Sequence, residues 1–225
     1  MTRSFHYFSE QRILIISLIG FMGCGKSSVG RELSQLLCCP FIDLDNFIEE
    51  RDGRTIAEIF ATKGEAGFRQ LESQALQDIC HPEIPDHPDQ SEVTPHLVLA
   101  LGGGTVMTPQ CAELVCAHTH CIYLRASLDT LYERLSSDTS TRPLLTAPYL
   151  RYPQANYTSR DDVQVTSSRD AEQSGDFLLR HRIETIISER ATTYENTSNI
   201  IIDTDGKSVE DIASEITQNV ANTPL

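Results

Sequence analysis

The residues that could do chemistry concentrate near the start of the chain. Gly20-Phe21-Met22-Gly23-Cys24-Gly25-Lys26-Ser27 fits the pattern G-x-x-x-x-G-K-[ST]. Glycines let backbone N–H groups close around an anion without a Cβ in the way. A helix starting at that point aims its positive end at the same anion. The Lys26 ammonium can then reach nucleotide β- and γ-phosphates, and the Ser27 hydroxyl can ligate Mg2+. The pattern predicts a phosphate cradle made by Gly23, Cys24, Gly25, Lys26, Ser27 and Ser28. The alternative is a glycine-rich turn with an incidental lysine, and the flanks argue against it. Cys24 has two readings: a thiol made acidic by the helix end and Lys26, or a small residue at a variable position.

A second group is Phe41-Ile42-Asp43-Leu44-Asp45. Ligands of open α/β sheets sit beyond the C-terminal ends of the strands. Side chains at i and i+2 share a face in extended backbone, so Asp43 and Asp45 can both point there. One carboxylate could hold Mg2+ through water while the other accepts a hydrogen bond from a substrate hydroxyl. Either could instead cap the helix that starts near Asn46.

Such residues need rigid elements to hold them. Ile13 to Ile19 is almost wholly apolar and β-branched, as in a parallel strand buried on both faces. Lys26 to Leu37 has helical spacing, with Val29, Leu33, Leu36 and Leu37 on one stripe. Further strands are expected at 40–43, 97–101, 121–124 and 199–202, with helices between them. Thr55 and Glu58 form a capping box that opens a helix through Phe60; Phe68 to Ile79 marks another. The expected fold is α/β: a five-stranded parallel sheet with helices on both faces. Residues 1–225 are expected to form one domain, with a core from about 12 to 220. The proline-rich 81–95 reads as an exposed loop, and the polar 139–178 as a mobile lid.

Composition bounds the partners. With 225 residues, 40% of them hydrophobic and 22% charged, the chain can bury a core. Its net charge of −14 argues against nucleic acid and anionic membranes as partners. An anionic ligand would have to be gripped by local Arg, Lys, metal or backbone N–H groups. The seven cysteines include no C-x-x-C pair, and the five-residue steps of Cys111, Cys116 and Cys121 fit no metal pattern. Reduced thiols in a cytoplasmic protein are expected. The histidines show no metal-ligand spacing and are read as solvated.

Taken together, these motifs resemble shikimate kinase, of the nucleoside-monophosphate-kinase structural group. Besides the first two groups, the matching pieces are Gly-Glu-Ala-Gly-Phe-Arg-Gln-Leu-Glu (64–72), Leu-Gly-Gly-Gly-Thr-Val (101–106), Arg-Pro-Leu-Leu (142–145) and Glu-Arg-Ala-Thr-Thr-Tyr (189–194). The resemblance implies a P-loop kinase fold and transfer of a phosphoryl group from ATP to the 3-hydroxyl of shikimate, on the way to chorismate. It implies that Arg69 and Arg190 grip the substrate carboxylate, a task suited to planar bidentate donors. Asp45 would contact the hydroxyls, and Asp43 with Ser27 would hold Mg2+. The turn Gly102, Gly103, Gly104 would meet the substrate, with the Gly103 N–H in contact. Arg142 would close on the nucleotide phosphates from the lid. Arg134 and Lys207 would flank the adenine. Lys26, Asp45 and Arg142 would carry the catalysis, and the enzyme is expected to be a monomer.

Periodicity supports one of these roles. Leu179, Ile183, Ile186 and Arg190 fall on one helical face, so Arg190 continues a buried stripe and needs an anionic partner. Arg69 and Glu72 stand at i and i+3, so Glu72 could orient Arg69, or the two could form a plain surface ion pair. One departure stands out. Arg142 and Arg190 are 48 positions apart, which places an insertion at about 146–178. The other readings are a gluconate-type small-molecule kinase, which would not need both Arg69 and Arg190, and a nucleotide-binding regulatory domain without transfer activity.

Overall fold

The computed structural model describes residues 15–80, 97–136 and 168–221, and the side chains of these except 168–176 and 221. The expected proline-rich loop, and residues 139–167 of the expected lid, with Arg142, lie outside the described residues. The rest of that stretch, 168–178, is not a loop but the first turns of a helix that runs from Ser168 to Thr197.

Five strands form one parallel sheet: β1 (Ile15–Ile19), β2 (Phe41–Asp43), β3 (Leu97–Ala100), β4 (Thr119–Arg125) and β5 (Ile200–Asp203). Their order across the sheet is β2-β3-β1-β4-β5. The chain leaves β1 toward one side of the sheet and later fills the other, so a crevice opens at the C-terminal end of β1.

Alternation along β1 divides the core in two. Ile15 and Ile19 face a cluster built with α2 (Leu44–Asp52), α3 (Ile56–Cys80) and α4 (Pro109–His118). Ile16 and Leu18 face another, built with α1 (Lys26–Leu36), α5 (Leu128–Ser136) and α7 (Val209–Ala221). The helix α6 (Ser168–Thr197) joins both, with Ile183 and Ile186 in the second cluster and Tyr194 in the first.

The capping box is present: Glu58 Oε2 accepts from the Thr55 N–H at 2.8 Å, and Thr55 Oγ1 accepts from the Glu58 N–H at 3.3 Å. The two helices expected around Phe60 and Phe68 are the two halves of α3, broken at Gly64, whose φ of 68° and ψ of −178° no helix continues through. The periodicity reading sets no bounds for the helix α4 or the 3-10 turn Thr105–Met107, although Pro109 stands in the first turn of α4, where proline is favoured.

All seven cysteines are free, and burial pushes the Cys121 thiol up to about 12 and Cys80 to about 11. His120 departs from the solvated reading. It is half-buried at the start of β4, burial lowers its pKa, and its Nε2 has no partner among the described residues. Among these residues no helix is long and apolar enough to cross a membrane.

Candidate active site

At the C-terminal ends of β1, β2 and β3 lies a cavity of about 830 Å³. Its wall is made first by the turn that follows β1. Gly20, Gly23 and Gly25 all take positive φ there, and Gly25 at 103° is the N-cap of α1. A Cβ on Gly20 would stand 2.5 Å from the Leu124 carbonyl oxygen, so only glycine fits beneath this loop. Lys26 folds back over the loop, with Nζ donating to the Gly20 and Phe21 carbonyls at 2.9 and 3.0 Å. Cys24 is 1% exposed, which favours the packed reading over the reactive one even though Lys26 Nζ lies 3.9 Å from its Sγ.

Ser27 Oγ donates to Asp43 Oδ2 at 2.6 Å. The other Asp43 oxygen accepts from the Asp45 N–H at 3.2 Å and caps α2, so liganding and capping readings meet in one side chain. The i, i+2 rule is not what brings Asp45 to the cavity. Asp43 ends β2, and Asp45 already stands in the first turn of α2. Burial, then Glu72 and Asp43, hold the Asp45 carboxyl up at about 6, against the lowering pull of Lys26 and Arg69.

On the far side stands Arg69, from the second half of α3. Its Nη1 donates to Glu72 Oε2 at 2.7 Å, and Nη2 lies 3.5 Å from Glu65. Glu72 is fully buried, and its second oxygen accepts from Thr105 Oγ1 at 2.5 Å. The surface-pair reading of Arg69 and Glu72 therefore fails: the glutamate is clamped from both sides. Burial opposes the Arg69 charge, but Glu72 and Glu65 outweigh it and raise its pKa. Glycines leave room for these groups. A Cβ on Gly102 would lie 2.9 Å from Asp45 Oδ1 and 3.0 Å from Glu72 Oε1, and one on Gly104 2.6 Å from Arg69 Nη2.

Arg190 reaches the cavity from α6 and donates through Nη1 to the Gly103 carbonyl at 2.9 Å. Arg134 Nη1 donates to the Gly23 carbonyl at 3.1 Å. Lys207 pairs with Glu215 at 2.5 Å on the cavity's edge. Gly23, Cys24, Gly25, Lys26, Ser27, Ser28, Asp43, Asp45, Arg69, the three glycines, Arg134, Arg190 and Lys207 thus all line one cavity. Glu49, Phe60 and Phe68 line it as well. Of these, Phe68 alone stands in a motif read from sequence, and without a role. Glu49 has no motif; its Oε1 accepts from the Ile56 N–H at 2.7 Å and ties α2 to α3.

A parallel sheet, a phosphate loop after its central strand and a facing pocket of two arginines and an aspartate define a P-loop kinase of small molecules. The family model for shikimate kinase matches residues 22–221. The chain belongs to the shikimate kinase family. It is 33% identical over 205 residues to the shikimate kinase of Thermus thermophilus, covering 91% of this chain and 89% of that one. It is 34% identical over 205 residues to that of Salinibacter ruber, covering 91% and 83%. Among solved structures, the shikimate kinase of Acinetobacter baumannii in complex with shikimate superposes with a TM-score of 0.71 at 27% identity, over 96% of this chain and 97% of that one. That of Bacteroides thetaiotaomicron superposes with a TM-score of 0.68 at 26% identity, over 92% and 98%.

Proposed function

We propose that the residues of this cavity divide between them the ATP-dependent phosphorylation of shikimate, a step toward chorismate and the aromatic amino acids. The observation that carries the reading is the cavity itself. It opens a phosphate loop on one side and faces two arginines and a buried aspartate on the other. Shikimate offers one carboxylate and three hydroxyls, and the far wall matches that pattern. Arg69 and Arg190 bind the carboxylate with planar N–H forks. Asp45 accepts a hydrogen bond from the attacking 3-hydroxyl and takes its proton. The Gly102–Gly104 turn lets substrate lie against backbone.

On the near side, the loop N–H groups and Lys26 bind the β- and γ-phosphates. Lys26 exchanges its two loop carbonyls for them, so the ammonium is already within reach. Ser27 and Asp43 fit Mg2+: two hard oxygen ligands 2.6 Å apart, beside the phosphate loop. Mg2+ is commonly held by one or two side chains plus substrate phosphates, and among the described residues no larger acidic cluster offers an all-protein cage. When bound, the ion neutralises charge on the transferring phosphoryl group. Arg134 and Lys207 border the nucleotide end, and Arg142 is assigned to the lid.

Phosphoryl transfer rests on positioning and charge neutralisation more than on covalent help. ADP release should therefore require shikimate, and Lys26→Met should nearly abolish it while the protein stays folded. ADP release that ignores shikimate, or a folded Lys26→Met variant with normal turnover, would overturn this division of roles.

A further inference from the structure

The Gly103 carbonyl accepts two donors from one helix. Arg190 Nη1 reaches it at 2.9 Å, and the Tyr194 hydroxyl bonds the same oxygen. The two side chains stand four residues apart on α6, one above the other. A carbonyl oxygen has two lone pairs, so it holds both bonds at once. Tyr194 is 1% exposed, and its ring packs on Tyr123 of β4 with centroids 5.1 Å apart. Burial pushes the phenol up to about 12 against the lowering pull of the Arg190 guanidinium beside it, so it remains a donor throughout the working pH range. Tyr194 does not line the cavity, yet the residue it ties down does. Gly103 is also pressed against the phosphate loop. A Cβ there would lie 3.3 Å from the Met22 nitrogen and 3.6 Å from the Gly20 oxygen.

We propose that Tyr194 is the positioning residue of the carboxylate site: its hydroxyl fixes the Gly103 carbonyl, and that carbonyl fixes the direction of the Arg190 guanidinium. The proposal rests on the reading of Arg190 as a carboxylate ligand. A free arginine samples many rotamers and must give them up when substrate binds. One N–H tied to a fixed carbonyl orients the rest of the planar fork beforehand. The sheet supplies the rigidity through Tyr123. Because Gly103 abuts the phosphate loop, the same tie sets the distance between acceptor carboxylate and donor phosphates.

Tyr194→Phe keeps the ring and its packing and removes only the hydroxyl. It should raise the shikimate KM about three- to tenfold, the worth of one neutral hydrogen bond. The ATP KM and the Tm should stay near wild type. Arg190→Lys should raise the shikimate KM by more, and adding Tyr194→Phe to it should change little further, because the tyrosine acts through the arginine. Should the phenylalanine variant fold poorly, 4-aminophenylalanine placed at Tyr194 retains a donor and should keep the KM within about twofold of wild type. If Arg190→Lys leaves the shikimate KM unchanged, the carboxylate reading falls and takes the proposal with it. If Arg190→Lys raises it while Tyr194→Phe does not, or the two effects multiply in full, the proposal alone falls. A lowered Tm with both KM values unchanged, or a donor-retaining side chain that loses as much as phenylalanine, overturns it too.

Discussion

Asp45 ionises against three opponents: its own burial, the carboxylate of Glu72 and that of Asp43. Its carboxyl sits at about 6 in the fold against 3.8 ordinarily, so the native state holds its proton more tightly than the unfolded chain. The stability this contributes is complete below 3.8 and is lost as pH rises through about 6. Removing the charge should then help the fold where activity is normally measured. Asp45→Asn should be more stable than wild type by about 1–3 kcal/mol at pH 8, with the gap closing toward pH 4. It should lose most of its turnover as the attacking hydroxyl loses its base. Urea melts of the ligand-free proteins at both pH values check this, and a gap that widens toward acid would contradict it. In the proposed role the same carboxylate costs stability and supplies chemistry, a trade usual at active sites.

At the scale of elements, glycines decide where the helices can bring their side chains. Gly64 breaks α3, and the half beyond it carries Phe68, Arg69 and Glu72 to the cavity. Gly104 leaves space for the Arg69 guanidinium, and its own backbone, at φ −117°, is open to any residue. Gly104→Ala therefore costs no backbone strain, but its methyl would stand 2.6 Å from Arg69 Nη2 and push the guanidinium aside. The shikimate KM should rise about tenfold or more, as expected for a charge-assisted hydrogen bond lost or bent. The ATP KM should hold, and the Tm should fall by only a few degrees. Initial rates with each substrate varied in turn test this, and an equal rise in both KM values would count against it. Gly30 shows the opposite kind of constraint. A Cβ there would lie 2.4 Å from the Phe41 ring, so the glycine serves packing between α1 and β2.

The whole molecule carries a net charge of −14, yet it binds two anions. The answer is local: Lys26, Arg69, Arg134, Arg190 and Lys207 all face one cavity. Both ligands bind the folded state alone, so each should stabilise it by mass action. At a hundred times its Kd, either should add about 2.7 kcal/mol, or roughly 5–10 °C in Tm for a chain of this size. Arg190→Lys should shrink the shift given by a fixed shikimate concentration and leave that given by ADP intact. Thermal melts with each ligand separately check the prediction, and a loss of both shifts together would mean that Arg190 holds the fold rather than the substrate.

Sequence alone determined the parts whose signal is local. The apolar run of β1 and the G-x-x-x-x-G-K-S turn after it are defined by neighbouring residues, as is the capping box at Thr55. The stripe of Leu179, Ile183 and Ile186 likewise put Arg190 on the face that reaches the cavity, because helical period is a property of the chain itself. There it is half-buried, and its partner is the neutral Gly103 carbonyl rather than the anion expected. Tertiary structure decided what depends on distant partners. Glu72 and Thr105 are 33 residues apart and meet only when α3 lies against the turn after β3. The raised pKa of Asp45 needs burial and the Glu72 carboxylate from α3, beside its near neighbour Asp43. Tyr194 stood in a motif without a role, since the carbonyl it binds is 91 positions away and glycine carries no side chain to announce it. Spacing shows which face a residue occupies; only packing of one element on another shows what it meets there.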